Sequence, residues 1–278
     1  MRSVKSVLAA AAASILSTAA FAADLPIAAP PMYAPPPPAE FSGWYLRGDI
    51  GMTNQRIKSL HNPDPNAASF QSVGIGFDSS MLWDIGVGYQ FNNWFRVDVT
   101  GQYRGRANFH GSQFSDAFAG SALADNYSGS KSETVIMANG YVDLGTWWCV
   151  TPFVGAGIGA SYNRISGFQD NGIGTTFGVA NPPSVVYATD NGKWNFAWAL
   201  HAGVGYRVTP DVTIELAYSY MNLGDAITGT NSNYAGSATP QFPWTMHNIT
   251  SNDLKLGVRW DLDTPPPPPP PPPLIRKG

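Results

Sequence analysis

Between residues 41 and 262 apolar and polar side chains alternate with a period of two in eight separate stretches, the pattern of strands whose two faces meet different surroundings. In the first, Trp44, Leu46, Ile50 and Met52 oppose Tyr45, Arg47 and Asp49. The second sets Met81, Trp83, Ile85, Val87, Tyr89 and Phe91 against Asp84, Gly86, Gly88 and Gln90. The third sets Phe95, Val97, Val99 and Tyr103 against Arg96, Asp98, Thr100, Gln102 and Arg104. The fourth opposes Ile136, Ala138, Val142 and Leu144 to Asn139, Tyr141 and Asp143, and the fifth Val154, Ala156, Ile158 and Tyr162 to Phe153, Asn163 and three glycines. The sixth carries Phe196, Trp198, Leu200, Val204, Tyr206 and Val208 opposite Asn195, His201 and Arg207. The seventh opposes Val212, Ile214, Leu216, Tyr218 and Tyr220 to Thr213, Glu215 and Ser219. The eighth opposes Leu254, Leu256, Val258, Trp260 and Leu262 to Asp253, Lys255, Gly257, Arg259 and Asp261.

Alternation leaves open which face is outside, because a soluble barrel alternates in the opposite sense. The connections are asymmetric: Asn92-Asn93, Gly145 to Cys149 and Thr209 to Asp211 are short, whereas those near 54–78, 105–131, 164–193 and 223–250 are long. Short turns at one end and long loops at the other are what a membrane-spanning barrel needs. Aromatic residues gather at both strand ends, Trp44, Tyr89, Phe91, Phe95, Tyr206 and Trp260 near the turns and Trp83, Tyr103, Tyr162, Trp198 and Tyr220 nearer the loops, predicting two interfacial girdles. The expected fold is therefore all-β: an eight-stranded antiparallel transmembrane β-barrel with four long extracellular loops and short periplasmic turns.

The ends of the chain fit that placement. Arg2 and Lys5, an apolar run through Leu16, and Ala20-Phe21-Ala22 have the layout of a secretory signal, so the mature chain is expected to begin at Ala23. Residues 23–40 are a proline-rich linker, 41–262 the barrel, and 263–278 a polyproline tail, with both flanking segments expected in the periplasm. After the signal no stretch approaches the roughly 18 apolar residues of a helical span, so a bilayer must be crossed by strands.

Composition changes the picture in three places. Charged residues make up only 13%, against about 25% in soluble domains. Loss of Arg2 and Lys5 moves the net charge from −3 to −5, so no nucleic-acid partner is expected. A single cysteine, Cys149, excludes an internal disulfide, and its neighbours Trp147 and Trp148 suggest that it packs.

With the apolar face in lipid, the lumen holds a charge network of Arg47, Asp49, Asp84, Arg96, Asp98, Asp143, Glu215, Lys255 and Arg259, joined by Arg104, Arg207, Asp253 and Asp261. Near balance of sign points to mutual neutralisation, with glycines relieving crowding, and eight strands leave an interior that side chains just fill. A wide pore is therefore disfavoured. Folding the sixth and seventh stretches about Thr209 to Asp211 sets His201 opposite Ser219, with Glu215 on the same face; deep in a filled lumen this is a structural pair, and no catalysis and no cofactor are expected. His61, His110 and His247 lie in or beside loops and leave open a haem-binding receptor as an alternative.

Lys255, Gly257, Trp260 and Leu262 resemble the assembly signal of bacterial outer-membrane barrels, which implies the barrel-assembly machinery as a partner alongside outer-membrane lipid and lipopolysaccharide. The segments Gly43 to Gly51, Tyr141 to Gly145 and Thr151 to Gly159 make residues 41–262 similar to the small eight-stranded porin-family surface proteins of α-proteobacteria. That resemblance implies a structural role in envelope integrity, with alternatives as a haem or host-ligand receptor or a small-solute channel. It also implies covalent attachment to peptidoglycan through a mature amino terminus reading Ala23-Asp24.

Overall fold

Eight long strands carry the alternation: β1 Gly43–Arg56, β2 Ser80–Gln90, β3 Phe95–Ser115, β4 Ser121–Asp143, β5 Val150–Thr176, β6 Asn191–Arg207, β7 Val212–Ile227 and β8 Thr245–Asp261. The computed structural model describes residues 42–62, 71–115, 121–233 and 243–263. The chain divides into Met1–Pro38, outside the described residues, and Ala39–Gly278, to which the following refers. Each long strand pairs antiparallel with the next in sequence, and β8 pairs with β1, so the sheet closes on itself. Closure leaves no unpaired edge inside hydrocarbon, which is the condition for strands to cross a bilayer.

The burial of side chains settles the question that alternation left open. Along β1, Trp44, Leu46, Ile50 and Met52 are exposed while Tyr45, Arg47 and Asp49 are buried; Ile85 on β2 is 73% exposed beside Asp84 at 3%. The apolar face is outside and the charged face inside, on all eight strands. In water such a surface would cost about 25 cal/mol per Å² of apolar area, so the outer face belongs in lipid. Aromatic pairs mark the ends of the band, Trp44 with Tyr89 and Tyr89 with Phe91 near the short turns, Trp83 with Tyr103 and Tyr162 with Trp194 towards the other end.

The long connections are less irregular than their sequence suggests. β3 and β4 remain paired out to Ser115 and Leu123, and β4 and β5 out to Ser121 and Thr176. Short strands extend this sheet: Gln71–Phe77 pairs with β3 and Ser184–Ala188 with β5. Above the lipid band the outward positions of β4 become Thr134, Ser132, Ser130 and Ser128. There the outward face is polar as well, the apolar contrast vanishes, and the backbone ladder continues unannounced.

Candidate functional site

The inward positions of β1 organise the lumen. Near the short turns, the Tyr45 hydroxyl donates to Asp98, 3.2 Å away, and Arg47 bridges Asp49 and Asp98, each at 3.0 Å. The Arg47 guanidinium also donates to the Tyr141 hydroxyl at 3.0 Å. Glu215 collects Arg96 and Arg259 at 3.2 Å and Arg47 at 3.7 Å, while Arg96 also reaches Asp143 and its guanidinium lies over the Tyr141 and Phe153 rings. Lys255 meets Asp84 at 3.4 Å and Arg259 meets Asp261 at 3.6 Å. All nine predicted network residues thus lie in one buried cluster.

A second layer lies further up β1. Arg104 is fully buried and donates to Asp253 at 2.5 Å, to the Gln102 carbonyl at 2.7 Å, and to the Thr53 and Ser251 hydroxyls at 3.0 and 2.6 Å. Glu133 stands 3.6 Å from Arg104 and pairs with Lys131, whose ammonium also donates to Gln55 at 2.8 Å. Lys131 and Glu133 escape the sequence reading because they precede the stretch of β4 whose outward face is apolar. Arg207, by contrast, was expected in the lumen but is exposed at the turn end of β6, where water already solvates it. Among the described residues, eight buried carboxylates therefore face six buried Lys and Arg side chains.

Towards the mouth much of the lumen is filled by apolar side chains, which alternation did not reveal. Phe77, Phe109, Tyr127, Phe168, Trp244, Met246, Ile249 and Leu223 form one buried cluster with Val135 and Met137. The Trp244 ring meets Tyr127 edge-on at 4.8 Å and lies 6.1 Å from Phe168. Its backbone N–H donates to the Thr228 hydroxyl at 2.9 Å, which continues the pairing of β7 with β8 and holds the segment entering β8 in place. Two charged layers and an aromatic plug thus occupy the barrel axis.

His201 and Ser219 are register partners, with Nδ1 and Oγ 2.8 Å apart, as the turn predicted. Asn139 fixes the tautomer: its amide nitrogen donates to Asp98 at 2.8 Å, leaving its carbonyl to accept from His201 Nε2 at 3.2 Å. In the neutral ring Ser219 therefore donates to Nδ1; the direction is the one a serine–histidine pair would use, but both side chains are buried among the lumen's polar contacts, where the bond satisfies two buried polar groups. Among the loop histidines, His61 and His247 face each other at 6.3 Å between ring centroids, whereas His110 stands beside Asp78.

Cys149 does not pack. It and Trp148 take left-handed φ values of 71° and 49° in the turn between β4 and β5, Cys149 is exposed, and Trp148 is 96% exposed. A turn this tight has no interior in which to bury three consecutive side chains. Of the remaining predicted site residues, Lys255 and Gly257 face the lumen, Trp260 and Leu262 face outward, and Ala23 and Asp24 lie outside the described residues.

Beyond the lipid band, burial pushes the carboxyl of Asp170 up to about 7, and the charge of Asp125 adds to the shift. Asp125 is raised too, by burial. A carboxyl raised in the folded state is more protonated there than in the opened chain, so the extension loses stability as pH rises from about 4 to 7. Partial exposure leaves roughly 1–2 kcal/mol of the effect. Hydrogen exchange of residues 121–128 and 169–176 is expected to slow as pH falls from 8 to 5, after correction for the intrinsic rate, and Asp170→Asn is expected to weaken that dependence and leave only the part due to Asp125.

Comparison with known proteins places this geometry. The model of a family described as outer membrane protein beta-barrel domain matches residues 8–261. An uncharacterized protein of Brucella suis is 33% identical over 229 residues, covering 74% of this chain and 76% of the relative. The outer membrane protein PagN of Salmonella typhimurium is 29% identical over 180 residues, 63% of this chain and 70% of its own. A putative adhesin of Rickettsia canadensis is 26% identical over 230 residues, 79% of this chain and 88% of its own.

Proposed function

For a chain that belongs to the outer membrane protein beta-barrel domain family, and hence to the Gram-negative outer membrane, we propose a structural role: a non-conducting barrel that supports envelope integrity and is tethered to peptidoglycan through Ala23-Asp24. The observation that carries the non-conducting part is the lumen, filled by paired charges and closed by the cluster around Trp244. Transport would require separating buried ion pairs and leaving their charges without partners. What remains available for function is the outside of the molecule and its two termini.

The tether is supported by where the barrel begins. β1 starts at Gly43 on the end that carries the short turns, which is the periplasmic end of a barrel of this kind. If the proline-rich residues 23–40 were extended as polyproline they would reach about 50 Å at roughly 3.1 Å per residue, the scale of a link from barrel to cell wall. Digestion of detergent-boiled sacculi with lysozyme, followed by mass analysis, is expected to yield Ala23 joined to a stem peptide. Clean sacculi together with a free Ala23 amino group would refute the tether.

A second reading, a surface receptor or adhesin, is favoured by the sheet that rises beyond the lipid band. Its outward face exposes Val73, Phe114, Ile173 and Tyr187, with Phe177 81% exposed in the turn before Val179. Loss of ligand capture by whole cells on replacing Phe114, Ile173 and Phe177 with serine, at unchanged envelope integrity, would favour that reading.

A further inference from the structure

Cations outside the lumen are distributed very unevenly. Among the described residues they are Arg56, Lys58, Arg106, Arg164, Lys193 and Arg207, and only Arg207 lies at the periplasmic end. The other five cluster where the lipid band gives way to the extracellular extension. On β1, Arg56 follows the outward-facing Met52; on β3, Arg106 follows the outward-facing Tyr103; on β5, Arg164 follows Tyr162; on β6, Lys193 precedes Trp194.

Two of the five are already neutralised, Arg164 by Asp190 at 3.2 Å and Lys193 by Asp225 at 3.5 Å. Arg56, Lys58 and Arg106 are exposed, and no carboxylate among the described residues comes within ion-pair distance of them. The pairings Thr53 with Ser80 and Leu82 with Arg104 show that β1 and β3 both run past the start of β2, so Arg56 and Arg106 flank the same bend at Asp78-Ser79. The one acid in that bend, Asp78, is engaged by the Asn108 amide at 3.0 Å and by His110 at 3.5 Å. Arg56 and Arg106 therefore flank one bend at outward, exposed positions, with Lys58 two residues beyond Arg56, all without a carboxylate partner among the described residues and just beyond the stacked Trp83 and Tyr103 rings.

We propose that Arg56, Lys58 and Arg106 form a binding site for the phosphate groups of the phosphorylated glycolipid that makes up the outer leaflet. The aromatic rings fix the depth of the barrel, and at that depth the hydrocarbon ends and the anionic headgroups begin. An arginine fork on each side of the bend and a lysine between barrel and extension suit phosphate oxygens in a way that a neutral phospholipid headgroup would not exploit. Because Arg56 and Arg106 stand at outward-facing positions of their strands, they meet a ligand anchored in the bilayer and not one that approaches the mouth. The site would seat the barrel in one leaflet orientation and order the glycolipid around it, whether or not the amino terminus is tethered.

The test uses the full mature chain, refolded in a non-ionic detergent and examined by native mass spectrometry with added diphosphorylated lipid A. The wild-type barrel is expected to retain lipid A and to retain the same lipid stripped of its phosphates at least tenfold more weakly. The triple variant Arg56→Gln/Lys58→Gln/Arg106→Gln is expected to lose retention at least tenfold, whereas Arg164→Gln/Lys193→Gln is expected to keep it. All the substituted side chains are substantially exposed, and heat-modifiable gel mobility verifies that each variant folds. Equal retention by the triple variant, equal retention of the dephosphorylated lipid, or complete displacement of lipid A by inorganic phosphate at equimolar concentration would each overturn the proposal.

Discussion

Arg104→Ala is expected to destabilise the barrel by about 3–5 kcal/mol, the range for removing one partner from a buried ion pair. Arg104 is fully buried and holds Asp253 at 2.5 Å, with Glu133 at 3.6 Å. Its removal leaves Asp253 with the Ser251 hydroxyl and Glu133 with Lys131 and Gln55, in a lumen where these groups are buried beside the apolar plug. Urea unfolding of the barrel in lipid vesicles, followed by tryptophan fluorescence, checks the size of the effect. Arg104→Met/Asp253→Asn is expected to recover part of the loss, because it removes an orphaned charge together with its partner. A midpoint for Arg104→Ala that stays within about 1 kcal/mol of wild type would mean that the upper layer is solvated and the lumen is not sealed.

Gly257→Val is expected to impair folding even more, for steric reasons. Gly257 pairs with Asp49 across β8 and β1, and a Cβ at Gly257 would overlap the Asp49 carboxylate that Arg47 holds at 3.0 Å. Overpacking a filled core typically costs 1–3 kcal/mol, and here the displaced group is also an ion-pair partner. The same glycine belongs to the residues that resemble an assembly signal, so its role has two physical explanations. They separate cleanly: refolding in detergent without any assembly machinery is expected to fail for Gly257→Val and to be restored by Asp49→Gly, which makes room and leaves Arg47 with Asp98 and Glu215. Normal unaided refolding of Gly257→Val would assign the glycine to recognition alone.

The parts of the fold that could be read from sequence are those where lipid imposes contrast. Ile85 beside Asp84, or Leu256 beside Lys255, can satisfy both neighbours only if one faces hydrocarbon and the other a polar interior, so strand, register and inside-out sense all follow. The register of His201 with Ser219 followed from a short turn for the same reason. Where the contrast fades, legibility fades with it. Val135 and Met137 point inward beside the outward Ile136, so neither face of that stretch is polar, because the upper lumen is filled by apolar contact as well as charge. Lys131 and Glu133 lie on a part of β4 whose outward partners are serines, so nothing distinguished that stretch from a loop. Trp244 gave no signal at all: an aromatic after Pro243 in a long connection joins the plug only through Tyr127 and Phe168, which come from other strands.

The central claim is that the barrel axis is closed, and electrical recording across a planar lipid bilayer tests it most directly. Purified, refolded protein is expected to insert without producing reproducible current steps in molar potassium chloride, because two charged layers and the Trp244 cluster occupy the path. Uniform, repeatable steps from the wild-type chain would contradict the account and make the protein a small-solute channel.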